Sequence, residues 1–177
     1  QFSESPRWRI EHSQNITPID QRRFVELDII PSMQPSHAIG DLHFAVDRLG
    51  LDRINNAYVW KKLIDQGLII AGGTDAPGEI GDPRIEFYAA IARKDVDGYH
   101  AEGWNLDQRI SRFEALKMFT IWPAVAAFQE DVKGTIEVGK LADFTIFDRD
   151  LMSIPELEIL ESNNVLTVVG GRIVYQK

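Results

Sequence analysis

The 177-residue sequence predicts an α/β fold: a parallel sheet, open or closed, built from repeated strand–loop–helix units and followed by a small β segment. Three observations predict it. Short strand-like runs alternate with helical patterns. Polar residues gather immediately after the strand ends. Beyond Glu130 the texture changes to closely spaced β-like runs with turn residues between them. A hydrophobic fraction of 44%, with 13 Gly and 8 Pro, is ordinary for a folded domain and wrong for disorder or collagen.

Residues 8–12 alternate apolar and polar side chains as a half-buried strand does, which puts His12 at a strand C-terminus. Asp20 is expected to cap a short helix with Phe24, Leu27 and Val25 on its inner face, and residues 29–34 read as a second strand closed by Pro35. The stretch 35–50 has mixed polarity and reads as a long loop with one helical turn at 42–46. Ala57, Val59, Trp60, Leu63 and Ile64 predict a helix over 56–66, with Gly67 as its terminating glycine. Leu68-Ile69-Ile70-Ala71 is a continuous apolar run, the mark of a strand buried on both faces, and it leads into Gly72-Gly73-Thr74-Asp75. Asp82-Pro83 opens another helix. Ser111-Arg112-Phe113-Glu114 has the form of a capping box before a helix reaching to about residue 128, with Ala115, Leu116, Phe119 and Ile121 inward and Pro123 kinking or dividing it. Residues 134–140 and 142–148 read as short β runs, and 165–169 with 172–175, joined by Gly170-Gly171, as a hairpin. The seam divides the chain into 1–131 and 132–177.

The formal charge of −8, from 19 Lys+Arg against 27 Asp+Glu, comes without a basic patch or basic amphipathic helix, so nucleic acid and membrane are not expected partners. No apolar run approaches the roughly 18 residues of a spanning helix, and the first residues lack signal-peptide character. A soluble, cytoplasmic protein is expected, although zero Cys does not exclude export. Without Cys there is no thiolate nucleophile and no Cys-based zinc site, so any metal must be held by carboxylates and by His12, His37, His43 or His100. His43 and His100 fall in mid-loop or exposed positions. No Gly-x-Ser-x-Gly elbow or phosphate-loop motif is present.

Polar residues after parallel strands face one rim, which would gather His12, Gln34 and Asp75 with the loop residue His37. An imidazole and a carboxylate there suit a divalent metal and the water it activates. Blander readings stand beside this one: His12 as a hydrogen-bonded surface residue, Thr74 or Asp75 as a helix cap before Ala76-Pro77, and His37 as an ordinary loop residue. Two ligands are too few for a complete site.

Arg9-Ile10-Glu11-His12-Ser13-Gln14, Gly72-Gly73-Thr74-Asp75-Ala76-Pro77 and the run Gly134-Thr135-Ile136-Glu137-Val138-Gly139-Lys140-Leu141-Ala142-Asp143-Phe144 together resemble the metal-dependent amidohydrolase superfamily. Ser32-Met33-Gln34-Pro35-Ser36-His37-Ala38 and Asp47-Arg48-Leu49-Gly50 narrow the likeness to the branch that includes N-substituted formamide deformylase. The resemblance implies the C-terminal part of a (β/α)8 TIM-type barrel, about three strand–helix units, over 1–131, and part of a small composite β-sandwich over 132–177. It implies hydrolysis of a non-peptide, amide-type C–N bond of a small molecule by metal-activated water, with zinc as the expected divalent ion. His12 matches the metal-binding His after the sixth barrel strand. Asp75 matches the Asp after the eighth, which contacts the metal and acts as general base, and Gln34 and His37 match substrate-contacting positions. The family's His-x-His pair, bridging Lys and fifth-strand His have no counterpart, and a whole barrel needs about 250 residues. The resemblance therefore implies the C-terminal portion of a longer hydrolase, inactive as the isolated chain. The alternative is a non-catalytic amidohydrolase-like binding or assembly module. A partial barrel leaves open strand edges, so a homo-oligomer is expected.

Overall fold

A computed structural model describes residues 5–99 and 102–177 and contains two three-stranded sheets. In the first, β1 (Arg9–Glu11), β2 (Ile30–Met33) and β3 (Ala71–Gly72) are parallel in the order β1-β2-β3, with Arg9 opposite Ile30 and Met33 opposite Gly72. Parallel neighbours need crossover connections. Helix α1 (Pro18–Glu26) supplies the first; α2 (Pro35–Asp41), α3 (Ala45–Leu49), α4 (Leu51–Ile54) and α5 (Trp60–Asp65) supply the second. Then come α6 (Pro83–Ala92), a 3-10 turn at Leu106–Gln108, α7 (Arg112–Met118) and α8 (Ile121–Ala126). The second sheet is antiparallel, β4 (Phe144–Phe147), β5 (Asn164–Val169) and β6 (Arg172–Gln176), with α9 (Glu158–Glu161) between β4 and β5.

Several elements differ from the sequence expectation for physical reasons. Thr17, not Asp20, caps α1: its hydroxyl accepts the Asp20 N–H, and Pro18 at the first position costs no hydrogen bond. Phe24 is buried as expected, but Leu27 is 58% exposed because it lies past the last helical residue, where the helical period no longer sets direction. The stretch 35–50 is mostly helical, because Pro35 closes a strand and also opens a helix. Helix α5 begins only at Trp60, since Tyr58 takes a left-handed backbone (φ +55°) and gives its N–H to the Gln14 carbonyl. The capping box at Ser111 and Glu114 forms, but the following helix divides at Phe119–Thr120, ahead of Pro123. Leu116 turns outward and Met118 takes the fully buried position instead. Gly72 lies beneath this junction: a Cβ there would sit 2.6 Å from Phe119 Cε1, so only glycine lets the strand and helices meet. Residues 134–140 form turns rather than a strand.

The core joins Met33, Trp60, Leu63, Ile70, Tyr88 and Met118, and Ile159 of α9 reaches into it from the tail. Arg93 crosses this core with its guanidinium 4.3 Å from the Trp60 ring and donates to the Tyr58 and Trp104 carbonyls, both at 3.0 Å. Burial pushes its pKa down to about 9. Among the described residues no helix is long and apolar enough to cross a membrane.

Candidate metal centre and active site

Parallel strands end on one rim, and three of the predicted residues follow the strand ends there: His12 after β1, Gln34 after β2 and Asp75 after β3. His12 (φ +64°), Ser13 (φ +43°) and Asp75 (φ +53°) have left-handed backbones, a conformation that non-glycine residues keep only where surrounding contacts enforce it and that gathers at functional sites. Ser13 locks the turn at the first strand end: its N–H donates to the Glu11 carbonyl at 2.8 Å and its hydroxyl to the Ile10 carbonyl at 2.9 Å. Asp75 is no helix cap. Its backbone carbonyl accepts the N–H groups of Gly78 and Glu79 in a turn, and helix α6 starts only at Pro83.

His12 Nδ1 lies 3.1 Å from Gln34 Oε1. An amide oxygen only accepts, so Nδ1 donates this bond, which in a neutral ring makes Nε2 the nitrogen available to an ion. His37 stands in the first turn of α2, buried, on a helix rather than in the loop expected for it. Its Nε2 lies 3.4 Å from Asp75 Oδ2 and 3.6 Å from Glu79 Oε1, and its ring stacks on that of His12 with centroids 5.7 Å apart. One ligand atom each from His12, His37 and Asp75 fall within 4.8 Å of one another, the one such group of His and carboxylates among the described residues. Two imidazoles and a carboxylate match the ligand types of a divalent zinc-like ion. His43 is not part of the group: it is exposed, pairs with Asp95 Oδ2 at 2.9 Å and stacks on Tyr99. His100 lies outside the described residues.

Two further carboxylates near the rim escaped sequence reasoning. Glu79 faces His37 from the turn after Asp75. Glu86, on α6, is 1% exposed and accepts the Ser36 N–H on Oε2 at 2.9 Å. Its pKa is pushed up to about 7, chiefly by burial, with the negative charges of Glu79 and Asp75 adding and the hydrogen bonds from Ser36 opposing. The signal was present: Glu86 is an acidic residue inside the otherwise apolar helical run Ile85-Glu86-Phe87-Tyr88-Ala89.

The sequence matches the Amidohydrolase family over residues 3–175. It is 34% identical over 171 residues to the Bacillus subtilis protein YtcJ, described as an amidohydrolase, covering 96% of this chain and 32% of that one. It is 30% identical over 117 residues to the N-substituted formamide deformylase of Arthrobacter pascens, covering 66% of this chain and 21% of that one. Among solved structures, an uncharacterized metal-dependent hydrolase from Pyrococcus furiosus aligns with a TM-score of 0.69 at 31% identity, covering 82% of this chain and 29% of that chain. One from Pyrococcus horikoshii aligns at 0.71 and 28%, covering 84% and 30%. The chain thus spans a third or less of the length of these relatives.

Proposed function

The chain belongs to the amidohydrolase family, and from that premise we propose that it is the part of a metal-dependent hydrolase that carries the proton-transfer carboxylate and part of the metal site. The reaction is hydrolysis of a non-peptide C–N bond in an amide-type small molecule. The observation that carries this reading is the convergence of His12, His37 and Asp75 beyond the ends of parallel strands. The ligand types favour a divalent ion such as zinc, and the likeness to two metal-dependent hydrolases from Pyrococcus supports a metal. Such an ion, when bound, polarises a carbonyl oxygen and makes water a better nucleophile.

In this reading His12 and Asp75 hold the ion, and Gln34 keeps His12 in the tautomer that offers Nε2. Asp75 accepts a proton from the attacking water. As the water oxygen bonds to the carbonyl carbon and the C–N bond breaks, Asp75 returns that proton to the departing nitrogen, which leaves as a neutral amine. Gln34 and His37 contact the substrate. A second reading, in which His37 is a third ligand, is favoured by the closeness of its ring nitrogen to the other two donors.

Residues 1–131 are read as about three strand–helix units of a TIM-type barrel and 132–177 as part of a β-sandwich, with further metal ligands supplied by sequence outside the 177 residues. Among the described residues β1 and β3 pair with β2 alone, and these edges, with Trp8 at 68% exposure beside β1, support a homo-oligomer.

Calorimetric titration of the chain with Zn²⁺ tests the site. His12→Ala and Asp75→Ala are each expected to weaken binding by about tenfold or more. His37→Ala leaves it unchanged in the first reading and weakens it in the second. Unchanged zinc binding in both His12→Ala and Asp75→Ala would sink the metal site, and turnover of N-substituted formamides by the 177-residue chain alone would sink the partial one.

A further inference from the structure

We infer that Glu86, on α6, is the N-terminal cap of α2, and that by taking this task it leaves the Gln34 side chain free to hold His12. The structural half of the inference stands on the chain alone; its consequence for metal binding rests on the proposed site.

Helix α2 begins at Pro35, which has no N–H, so the first N–H that needs an acceptor is that of Ser36. Such groups are often satisfied by a short polar side chain, Ser, Thr, Asp or Asn, on the residue before the helix. That residue is Gln34, whose backbone is extended (φ −119°, ψ 108°) and whose side chain makes no capping bond. Gln34 Oε1 is instead committed to His12 Nδ1 at 3.1 Å. Ser36 is buried, and an unpaired buried N–H is costly. Glu86 resolves the competition by bringing an acceptor from another helix, with Oε2 at 2.9 Å from Ser36 N.

Its setting suits the task. α6 packs against α2, and Glu86 is flanked by the buried residues Phe87, Tyr88, Ala89 and Ala90, so its carboxyl has little freedom to leave. A carboxylate at a helix N-terminus also complements the helix dipole. A neutral carboxylic acid still presents a carbonyl oxygen, so the cap does not depend on the charge state of Glu86. Glu86 touches none of the reacting groups; it is a positioning residue acting through α2, which carries Gln34 at its cap and His37 in its first turn.

The test uses the metal-free 177-residue chain, with Glu86→Gln and Glu86→Asp as variants. Gln keeps an acceptor oxygen at the same reach, whereas Asp keeps the charge and withdraws it by one methylene. Nitrogen-15 NMR follows the exchange protection of the Ser36 amide and the His12 Nδ1 signal, and a Zn²⁺ titration follows on each sample. Glu86→Gln is expected to preserve both NMR readouts and zinc affinity. Glu86→Asp is expected to lose about tenfold of Ser36 protection, to move the His12 Nδ1 signal as Gln34 turns back toward the helix, and to weaken zinc binding. Wild-type NMR behaviour in Glu86→Asp would overturn the inference, and so would equal damage in the two variants, because Glu86→Gln keeps the acceptor oxygen at full reach and should then have been spared. If the NMR pattern holds but the wild-type chain binds no zinc, the cap stands and the metal-site reading fails; if zinc binds while both variants match wild type by NMR, the reverse is true.

Discussion

The two sheets have three strands each, yet they live in different environments. In the parallel sheet Ile30, Pro31 and Met33 of β2 are buried and the main core lies alongside. In the antiparallel sheet every residue of β6 is exposed, and β5 is only half-buried before an exposed Val169. That sheet is held by its own ladder, by Ile159 inserted in the core, and by two arginines that reach across to it: Arg84 donates to the Ser162 carbonyl, and Arg112 to those of Leu151 and Ile154. Apolar patterning therefore identifies strands in both regions, but burial follows at β2, whereas β1, like β6, is exposed along its whole length. The folding free energy is concentrated in the α/β region, and the site is built there.

The sharpest way to break this comparison is Trp60→Ala. Trp60 is 0% exposed and carries the Arg93 guanidinium on its face. Its removal is expected to cost about 3–5 kcal/mol, read as a fall in the urea midpoint. A loss below about 1 kcal/mol would mean that the core is not centred there.

The buried carboxyl of Glu86 separates the regions next, because its pKa is pushed up while Asp148 and Asp150 of the tail are pulled down. Glu86 has an ordinary pKa of 4.5 and one of about 7 in the folded chain. Below the lower value both states carry the proton. Between the two values the folded chain keeps a proton that the unfolded chain has lost, so stability falls as pH rises, and the full penalty is present above pH 7. The gap between the two values corresponds to roughly 3 kcal/mol. Glu86→Gln is expected to flatten this slope between pH 4.5 and 7.5; an unchanged slope would remove Glu86 as its source. In the tail, by contrast, the Asn163 N–H and side-chain amide pull Asp148 down, and the Met152 N–H pulls Asp150 down, so their contributions are lost as pH falls.

Local signals were legible where the partner was near in sequence. The caps at Asp82 and Ser111, the hairpin glycines and the placing of His12, Gln34 and Asp75 after strand ends all follow from neighbouring residues. What could not be read depends on distant partners or on backbone handedness. His37 was legible as a rim residue but not as a helical one, because Pro35 starts a helix and the same Pro equally closes a strand. Glu86 and Ser36 are 50 positions apart, so no spacing rule pairs them. The left-handed turns at His12 and Asp75 are only weakly marked in residue type, since His and Asp adopt that backbone more readily than most side chains but neither is glycine.

The smallest expected effect tests the other side of the comparison. Ile173 on β6 is 60% exposed, and Ile173→Thr keeps the β-branch that a strand favours while removing apolar surface. If this face is bare in solution, the substitution should change stability by no more than about 0.5 kcal/mol. A larger loss that grows with protein concentration would mean that the face is covered by another copy of the chain, because mass action ties the stability of an associated face to concentration. A larger loss independent of concentration would place the antiparallel sheet within the same buried system as the parallel one, and the contrast between the two regions would be gone.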